Sequence, residues 1–207
     1  VLWETDYTST PVTRGSILRA VQCSGSRIYL QFPSSQKSGS AVVALRNEDG
    51  EILWSWHIWV TPEGEPGTVQ YTMKDGTDLC YMMDRNLGAN GNSKDDNQIQ
   101  TYGFYYQYGR KDPFVCPSIA VTGVQRTSVF NSSTQYSLAD GIKNPTTYYG
   151  VESNYWAADI TSFKDESNPC PQGYTVPVMS STGTPWASSD LFTFGTESSA
   201  TLSAWDE

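Results

Sequence analysis

The sequence predicts a β-rich α+β fold that begins with a small antiparallel β-sheet unit. Residues 51–60 alternate at period two and contain three tryptophans and the only histidine of the chain, which is typical of a strand buried in a large core. An Asp-Gly pair at residues 49–50 separates this run from a preceding apolar run and predicts a tight hairpin turn. Helical periodicity is best at residues 99–109, so a short helical element is expected beside the strands.

The first strands are predicted at residues 26–32 and 41–46, and the tryptophan strand, residues 51–60, follows them. Alternation along the tryptophan strand predicts two apolar faces, so we expect it to be covered on both sides. One face carries Trp54, Trp56, Ile58 and Val60, and the other carries Ser55, His57 and Trp59.

The second part of the chain begins after a turn-rich connector, residues 61–67. A second hairpin is predicted from residues 68–73 and 79–83, and the helix at 99–109 follows a polar loop. Residues 118–167 are polar with little periodicity, which indicates an elaborated loop region, and residues 168–177 are predicted to turn into a short strand. The domain prediction is a β-sheet unit at 1–62 and a second module at 63–207.

Composition and charge exclude several classes of protein. The chain has 207 residues, 38% hydrophobic and 17% charged, with a net charge of −9. Phosphate backbones and anionic lipids both attract basic proteins, so no nucleic-acid partner and no membrane-surface role are expected. No run approaches a membrane span, and no signal peptide is recognised, so a mature or trimmed product is expected. The composition, rich in Ser, Thr, Asn, Gly and Tyr, favours a loop-rich extracellular β protein over a helical cytosolic enzyme.

The four cysteines lie singly at positions 23, 80, 116 and 170. Their spacing does not fit a zinc ribbon or a thioredoxin-type site. Two readings stay open, namely two disulfides in an oxidising compartment or four buried free thiols.

No catalytic, metal or cofactor site is predicted. His57 lies on a strand without a recognisable nucleophile motif, so we expect a hydrogen-bonded core histidine. The polar segment 84–97 offers oxygen ligands of the kind calcium prefers, but it lacks the EF-hand order, and a solvated turn is favoured. A pair of carboxylates for glycoside hydrolysis needs proximity in space, and no particular pair is indicated.

The segment 148–159 mixes aromatic and amide side chains, as antibody combining sites do. The predicted ligand-binding residues are Tyr148, Tyr149, Asn154, Tyr155 and Trp156. The alternative is that Trp156 fills the core while the tyrosines cover a loop.

Three sets of residues together resemble a known family. They are residues 50–60, residues 83–89 with 102–114, and residues 170–177. In order and spacing over about residues 41–177 they resemble the Fibrobacter succinogenes major paralogous domain, which occurs in surface and fimbria-associated proteins of Bacteroidetes.

The resemblance implies an exported protein at the cell surface, with a second module related to the C-type-lectin-like fold. The motif residues themselves are expected to be structural: Arg85 and Arg110 would pair with Asp84 or Asp112, and the tyrosines of the predicted helix would fill the core. The expected partners are a glycan or a host or bacterial surface protein, together with pilus or other surface subunits.

The sequence also departs from this family. Thr175 stands where the family has arginine, and the usual closing strands are missing after Glu207, so either the tail has diverged or the chain is cut short. The calcium-binding signatures of lectins are absent as well. The functional expectation is a non-enzymatic adhesin or pilus-tip subunit that binds a ligand. The alternatives are a carbohydrate-active enzyme on the same scaffold and a structural pilin or phage-particle component.

Overall fold

The computed structural model describes residues 1–62, 64–72, 78–92, 98–107, 110–123, 137–149 and 167–176. These ranges form a β-rich fold of small antiparallel sheets with two short helices. In chain order the elements are β1 (Trp3–Thr5), β2 (Ala20–Ser24), β3 (Arg27–Gln31), β4 (Gly39–Arg46), β5 (Ile52–Val60), β6 (Thr68–Thr72), β7 (Asp78–Met83), α1 (Gln98–Thr101), β8 (Tyr105–Tyr106), β9 (Pro113–Phe114), β10 (Thr122–Gly123) and α2 (Leu138–Lys143).

A four-stranded antiparallel sheet in the order β10-β1-β4-β5 forms the centre of the fold. The hairpin of β4 and β5 is the one that Asp49-Gly50 predicts, and Gly50 has the positive φ of 84° that such a turn requires. The other predicted hairpin is also present, as β6 paired with β7. Strand β10 joins the sheet at β1, so the central sheet includes one strand from beyond residue 62.

Both faces of β5 are covered, as the alternation along the tryptophan strand predicts. On one face Trp56, Ile58 and Val60 pack against a cluster that includes Ile17 and Val43. The opposite face belongs to a larger cluster, made of Leu2, Trp3, Tyr7, Val42, Ile52, Phe104 and Ile119. The central sheet therefore separates two apolar layers, and the second layer joins it to the rest of the chain.

The predicted helix over residues 99–109 is wrong in most of its length. Helix α1 ends at Thr101, and Tyr105 and Tyr106 pair in a strand with Phe114 and Pro113. Gly103 explains the break, because its φ of 68° lies in the left-handed region and ends the helical path.

The prediction that the tyrosines of this segment fill the core is confirmed for Tyr106, which packs against the larger cluster, and is wrong for Tyr102 and Tyr105. Tyr102 and Tyr105 are 46% and 59% exposed, whereas Phe104 between them is buried in the larger cluster. The alternation of a strand, and not the three-to-four spacing of a helix, therefore decides which ring enters the core.

The short strand predicted within residues 168–177 is not present in its described part. Residues 174–176 follow a turn at Gln172-Gly173 and pair with no strand that the structure describes. No helix among the described residues has the length and apolar character that crossing a membrane would need.

Candidate functional site

A cleft of about 500 Å³ lies where the end of β5 meets three loop segments. Its walls come from strand β5, from the connector after it, from the loop after β7 and from the segment around Cys170. The lining residues are His57, Trp59, Thr61, Gly64, Glu65, Pro66, Leu87, Pro169, Cys170 and Pro171. The volume lies in the range of natural ligand sites, which is about 300–1,000 Å³.

Strand β5 supplies the aromatic wall of the cleft. Its alternation places His57 and Trp59 on one face, opposite Val42 and Ser40 of β4. The two rings are nearly parallel, with centroids 6.4 Å apart and an angle of 10° between their planes. The indole nitrogen of Trp59 is buried in the protein, so the part of this ring that lines the cleft is carbon surface.

A chain of hydrogen bonds through Tyr7 and Ser40 holds the His57 ring in place. The Tyr7 hydroxyl donates to the Gly88 carbonyl oxygen, and it lies 2.7 Å from the Ser40 hydroxyl. Ser40 therefore donates its single proton to Tyr7, and His57 donates from Nε2 to Ser40 over 3.0 Å. Burial lowers the pKa of His57 from 6.5 to about 3, so the ring is neutral at neutral pH. The prediction of a hydrogen-bonded core histidine is confirmed for the hydrogen bond, but the ring is half-buried and lines the cleft.

The wall that contains Cys170 is a compact turn held by its own hydrogen bonds. The Asn168 side chain accepts from the Cys170 amide at 2.9 Å and donates to the Tyr174 carbonyl at 2.8 Å. The Tyr174 hydroxyl then lies 2.6 Å from the Thr68 hydroxyl, which ties the turn to the start of β6. The burial of Cys170 raises the pKa of its thiol to about 11, so the thiol is protonated at neutral pH.

The Leu87 wall depends on a close crossing of two loops. Gly88 has a φ of 84°, and a Cβ at this position would lie 2.5 Å from the Phe104 ring. Gly103 has a φ of 68°, and a Cβ there would lie 2.7 Å from the Leu87 carbonyl oxygen. The Phe104 amide donates to that carbonyl at 3.1 Å. Two glycines of the sequence motifs are thus required so that the backbones can touch.

The predicted ion pairs of the motif arginines are confirmed. Arg85 donates to both oxygens of Asp84, at 2.8 and 3.1 Å, and these hydrogen bonds lower the pKa of Asp84. Arg110 lies 4.0 Å from Asp112, and both residues are almost fully buried. These side chains hold the fold together and do not line the cleft.

Two of the predicted ligand-binding residues, Tyr148 and Tyr149, lie in the region around Arg110. Its guanidinium donates to carbonyl oxygens at Gly141, Asn144 and Thr147, which fastens α2 and the following loop. It also lies 5.8 Å from the ring centre of Tyr149.

Tyr148 and Tyr149 are both half-buried. The Tyr148 ring meets Phe114 edge to face at 5.8 Å, and the Tyr149 amide donates to the Gln107 side chain at 3.2 Å. Asn154, Tyr155 and Trp156 lie outside the described residues, so the binding role of the five residues stays a prediction.

Ser55, Lys111 and Asp112 form a compact polar cluster. Ser55 donates to Asp112 at 2.6 Å, and the Lys111 ammonium lies 2.6 Å from the Ser55 hydroxyl and 2.9 Å from Asp112. A serine beside a lysine is a known nucleophile arrangement. However, Ser55 is 0% exposed, so a substrate cannot reach its hydroxyl in this conformation.

Metal-ligand geometry is not found among the described residues. In the described part of segment 84–97, Asp84 binds Arg85, and Asn86 and Asn90 donate to Thr101 and to Ser38. No group of three His, Cys, Asp or Glu side chains that could hold a metal ion occurs in the described ranges.

The two-disulfide alternative is wrong. Cys23, Cys116 and Cys170 carry free thiols, and two disulfides would need all four cysteines. The alternative of buried free thiols is confirmed for these three cysteines as far as their free state is concerned. Cys23, however, is exposed on β2 and is not buried.

The cleft was not predicted as a site from the sequence. The signals were the proline-rich runs at 61–67 and 168–171, because loops with fixed φ angles at the end of a buried strand often form binding walls. Comparison with known proteins adds no further assignment, since no family model, curated protein or solved structure matches the chain.

Proposed function

We propose that this chain is a non-enzymatic adhesin or pilus-tip subunit that binds a ligand at the outer surface of a bacterial cell. The observation that carries the proposal is the cleft at the end of β5. Residues of all three motif sets line it: His57 from the first, Leu87 from the second and Cys170 from the third. The segments that give the sequence its resemblance to surface proteins thus meet around one concave surface.

The composition of the cleft suits binding better than hydrolysis. A glycosidase needs two carboxyl groups about 5–10 Å apart across the scissile bond. Of the described residues that line the cleft, Glu65 alone is acidic. Aromatic carbon, prolines and a neutral histidine form most of the remaining wall, and predominantly apolar walls with few polar groups are typical of ligand pockets.

The proposal also covers the scaffold of the second module, the class of ligand and the location of the protein. The second module would be a C-type-lectin-like scaffold that presents loops, and the region containing Tyr148, Tyr149, Asn154, Tyr155 and Trp156 would extend the contact surface. The expected ligands are a glycan or a surface protein of a host or of another bacterium, and the expected location is the cell surface. The mixed aromatic and amide chemistry of that loop supports this extension.

A cleft-filling variant tests the proposal. Pro171→Trp places a large ring in the cleft, and Pro33→Trp is the matched control at a half-buried proline outside the cleft lining. Labelled protein is applied to a glycan array and, in parallel, used to retain surface proteins from host and bacterial cells. We expect a ligand that binds the wild type and the control but not Pro171→Trp.

A second variant addresses the loop region. Tyr155→Ala combined with Trp156→Ala removes its two largest rings, and we expect weaker retention of the same ligand by a folded protein. If Pro171→Trp and the loop variant both retain that ligand as the wild type does, or if no surface molecule binds the wild type, the proposed function is wrong.

A further inference from the structure

The described side chains that line the cleft carry negative charge only. Its described walls contain a single ionisable carboxylate, on Glu65, which is exposed to solvent. None of the described residues that line the cleft is a lysine or an arginine. A site with these walls attracts cations and repels anions.

No positive group on the described walls neutralises this carboxylate. His57 is neutral because burial depresses its pKa to about 3. Arg85 is the cationic residue two positions before the wall residue Leu87. It is bound to both oxygens of Asp84, and its side chain is only 3% exposed. The Glu65 carboxylate therefore lines the cleft beside apolar walls, without a cation among the described wall residues.

The aromatic wall favours the same class of ligand. Trp59 turns carbon surface toward the cleft, and an indole ring attracts cations more strongly than other aromatic side chains do. Pro66, Pro169 and Pro171 add rigid apolar surface. A long aliphatic stem that ends in a positive charge would pack against these walls and place its charge at Glu65.

We infer that the cleft takes a lysine or arginine side chain from a protein partner, with Glu65 and the Trp59 ring contacting the cationic group and the prolines contacting its stem. The inference rests on the proposed function, since it names the partner chemistry of the same site. It selects a basic protein segment over a neutral glycan, because an uncharged sugar would gain nothing from the carboxylate beyond a hydrogen bond.

The test uses small probes and the intact chain. N-acetyl-lysine methylamide is titrated into isotope-labelled protein, and the indole signal of Trp59, assigned with Trp59→Phe, reports on the cleft by nuclear magnetic resonance. N-acetyl-norleucine methylamide is the neutral probe with a similar stem, and methyl mannoside represents the glycan class. We expect the lysine probe to bind about three- to tenfold more tightly than norleucine, as an exposed ion pair and a cation–π contact together allow.

Glu65→Gln should remove this preference, whereas Glu48→Gln, an equal change of charge at an exposed residue of the β4–β5 turn, should leave it intact. A lysine preference under about twofold, or one that survives in Glu65→Gln, overturns the inference, since an ion pair is then not what the cleft recognises. Binding of methyl mannoside at Trp59 without binding of the lysine probe also overturns it but leaves the proposed function standing. The proposed function itself, in contrast, is wrong only if Pro171→Trp and the loop variant both retain the surface ligand as the wild type does, or if no surface molecule binds the wild type.

Discussion

The Ser55 hydroxyl donates a 2.6 Å hydrogen bond to the Asp112 carboxylate, although the two residues lie 57 positions apart in the chain. Ser55 is on the tryptophan strand, and Asp112 precedes β9 in the second part of the chain. Lys111 completes the junction, because its ammonium donates to the Ser55 carbonyl at 2.8 Å and lies 4.6 Å from the Trp54 ring centre. Burial lowers the pKa of this lysine, while the Asp112 carboxylate opposes that change.

A double-mutant cycle should show that Ser55 and Asp112 act as a unit. Ser55→Ala removes the donor and leaves Asp112 with Lys111, so we expect a loss of about 1–3 kcal/mol in the free energy of unfolding. Combined with Asp112→Ala, which removes the acceptor, the coupling energy should be about 0.5–3 kcal/mol, as is usual for buried partners in contact. Urea unfolding of the four proteins measures it, and strictly additive losses would show that the pair does not join the two parts.

Arg110 should be among the most sensitive positions of the chain. Arg110→Met keeps much of the side-chain volume but removes the positive charge 4.0 Å from Asp112 and leaves three carbonyl oxygens without the guanidinium donor. Removing one partner of a buried ion pair typically costs about 3–5 kcal/mol, and we expect a loss of unfolding free energy in this range. Arg46→Met is the control, because Arg46 is exposed and donates only to the adjacent turn at Gly50. A loss below about 1 kcal/mol for Arg110→Met would be typical of a surface pair and would contradict a role in fastening α2.

The crossing of Gly103 and Leu87 should be intolerant of a single methyl group. Gly103→Ala combines a φ of 68° with a Cβ position 2.7 Å from the Leu87 carbonyl. Gly25→Ala is a matched control, since its φ is 59° and no atom lies within 4 Å of the added Cβ. The left-handed conformation alone costs about 1–2 kcal/mol, so Gly25→Ala should lose that amount and Gly103→Ala clearly more. Equal shifts in the urea midpoint for Gly103→Ala and Gly25→Ala would mean that the loops containing Gly103 and Leu87 can move apart at no cost in stability.

The strand predictions succeeded where one local signal dominated. The alternation of the tryptophan strand and the Asp49-Gly50 turn are both short-range features, and β5 and its hairpin follow from them. The motif ion pairs Arg85–Asp84 and Arg110–Asp112 were also accessible, because each partner lies within two positions of the other.

The segment around Gly103 and the cleft could not be predicted in the same way. A period-three pattern of tyrosines indicated a helix, but the contact of Gly103 with Leu87 and the pairing of Tyr105 with Phe114 decide the conformation. Both partners are distant enough in sequence that no local pattern encodes them. The cleft likewise depends on Cys170 meeting β5, a contact between residues more than a hundred positions apart.

The cysteines should differ strongly in reactivity. Cys170 is mostly buried and its thiol pKa is raised to about 11, so at pH 8 only about one thiol in a thousand is ionised. Cys23 is exposed on β2. We expect N-ethylmaleimide to modify Cys23 first and Cys170 much later in native protein, as followed by peptide mass spectrometry, and at similar rates in urea. Fast native modification of Cys170 would show that the cleft wall opens readily.

His57 should make the stability of the protein depend on pH between about 3 and 6.5. Its pKa is about 3 in the folded chain against an ordinary value of 6.5, so in this window the unfolded chain binds a proton that the folded chain does not. The stabilisation from the neutral ring is complete above pH 6.5 and is lost as the pH falls toward 3, by up to about 1.4 kcal/mol per pH unit.

His57→Gln is the comparison variant, because it keeps a donor for Ser40 but does not titrate. The pH dependence of stability that comes from carboxylates is common to both proteins, so it cancels when the two are compared. From pH 7.5 to pH 5 the wild type should lose about 2 kcal/mol of unfolding free energy relative to this variant in urea titrations. Parallel stability curves would place a charged, solvated histidine at the cleft and would remove one support for its preference for cations.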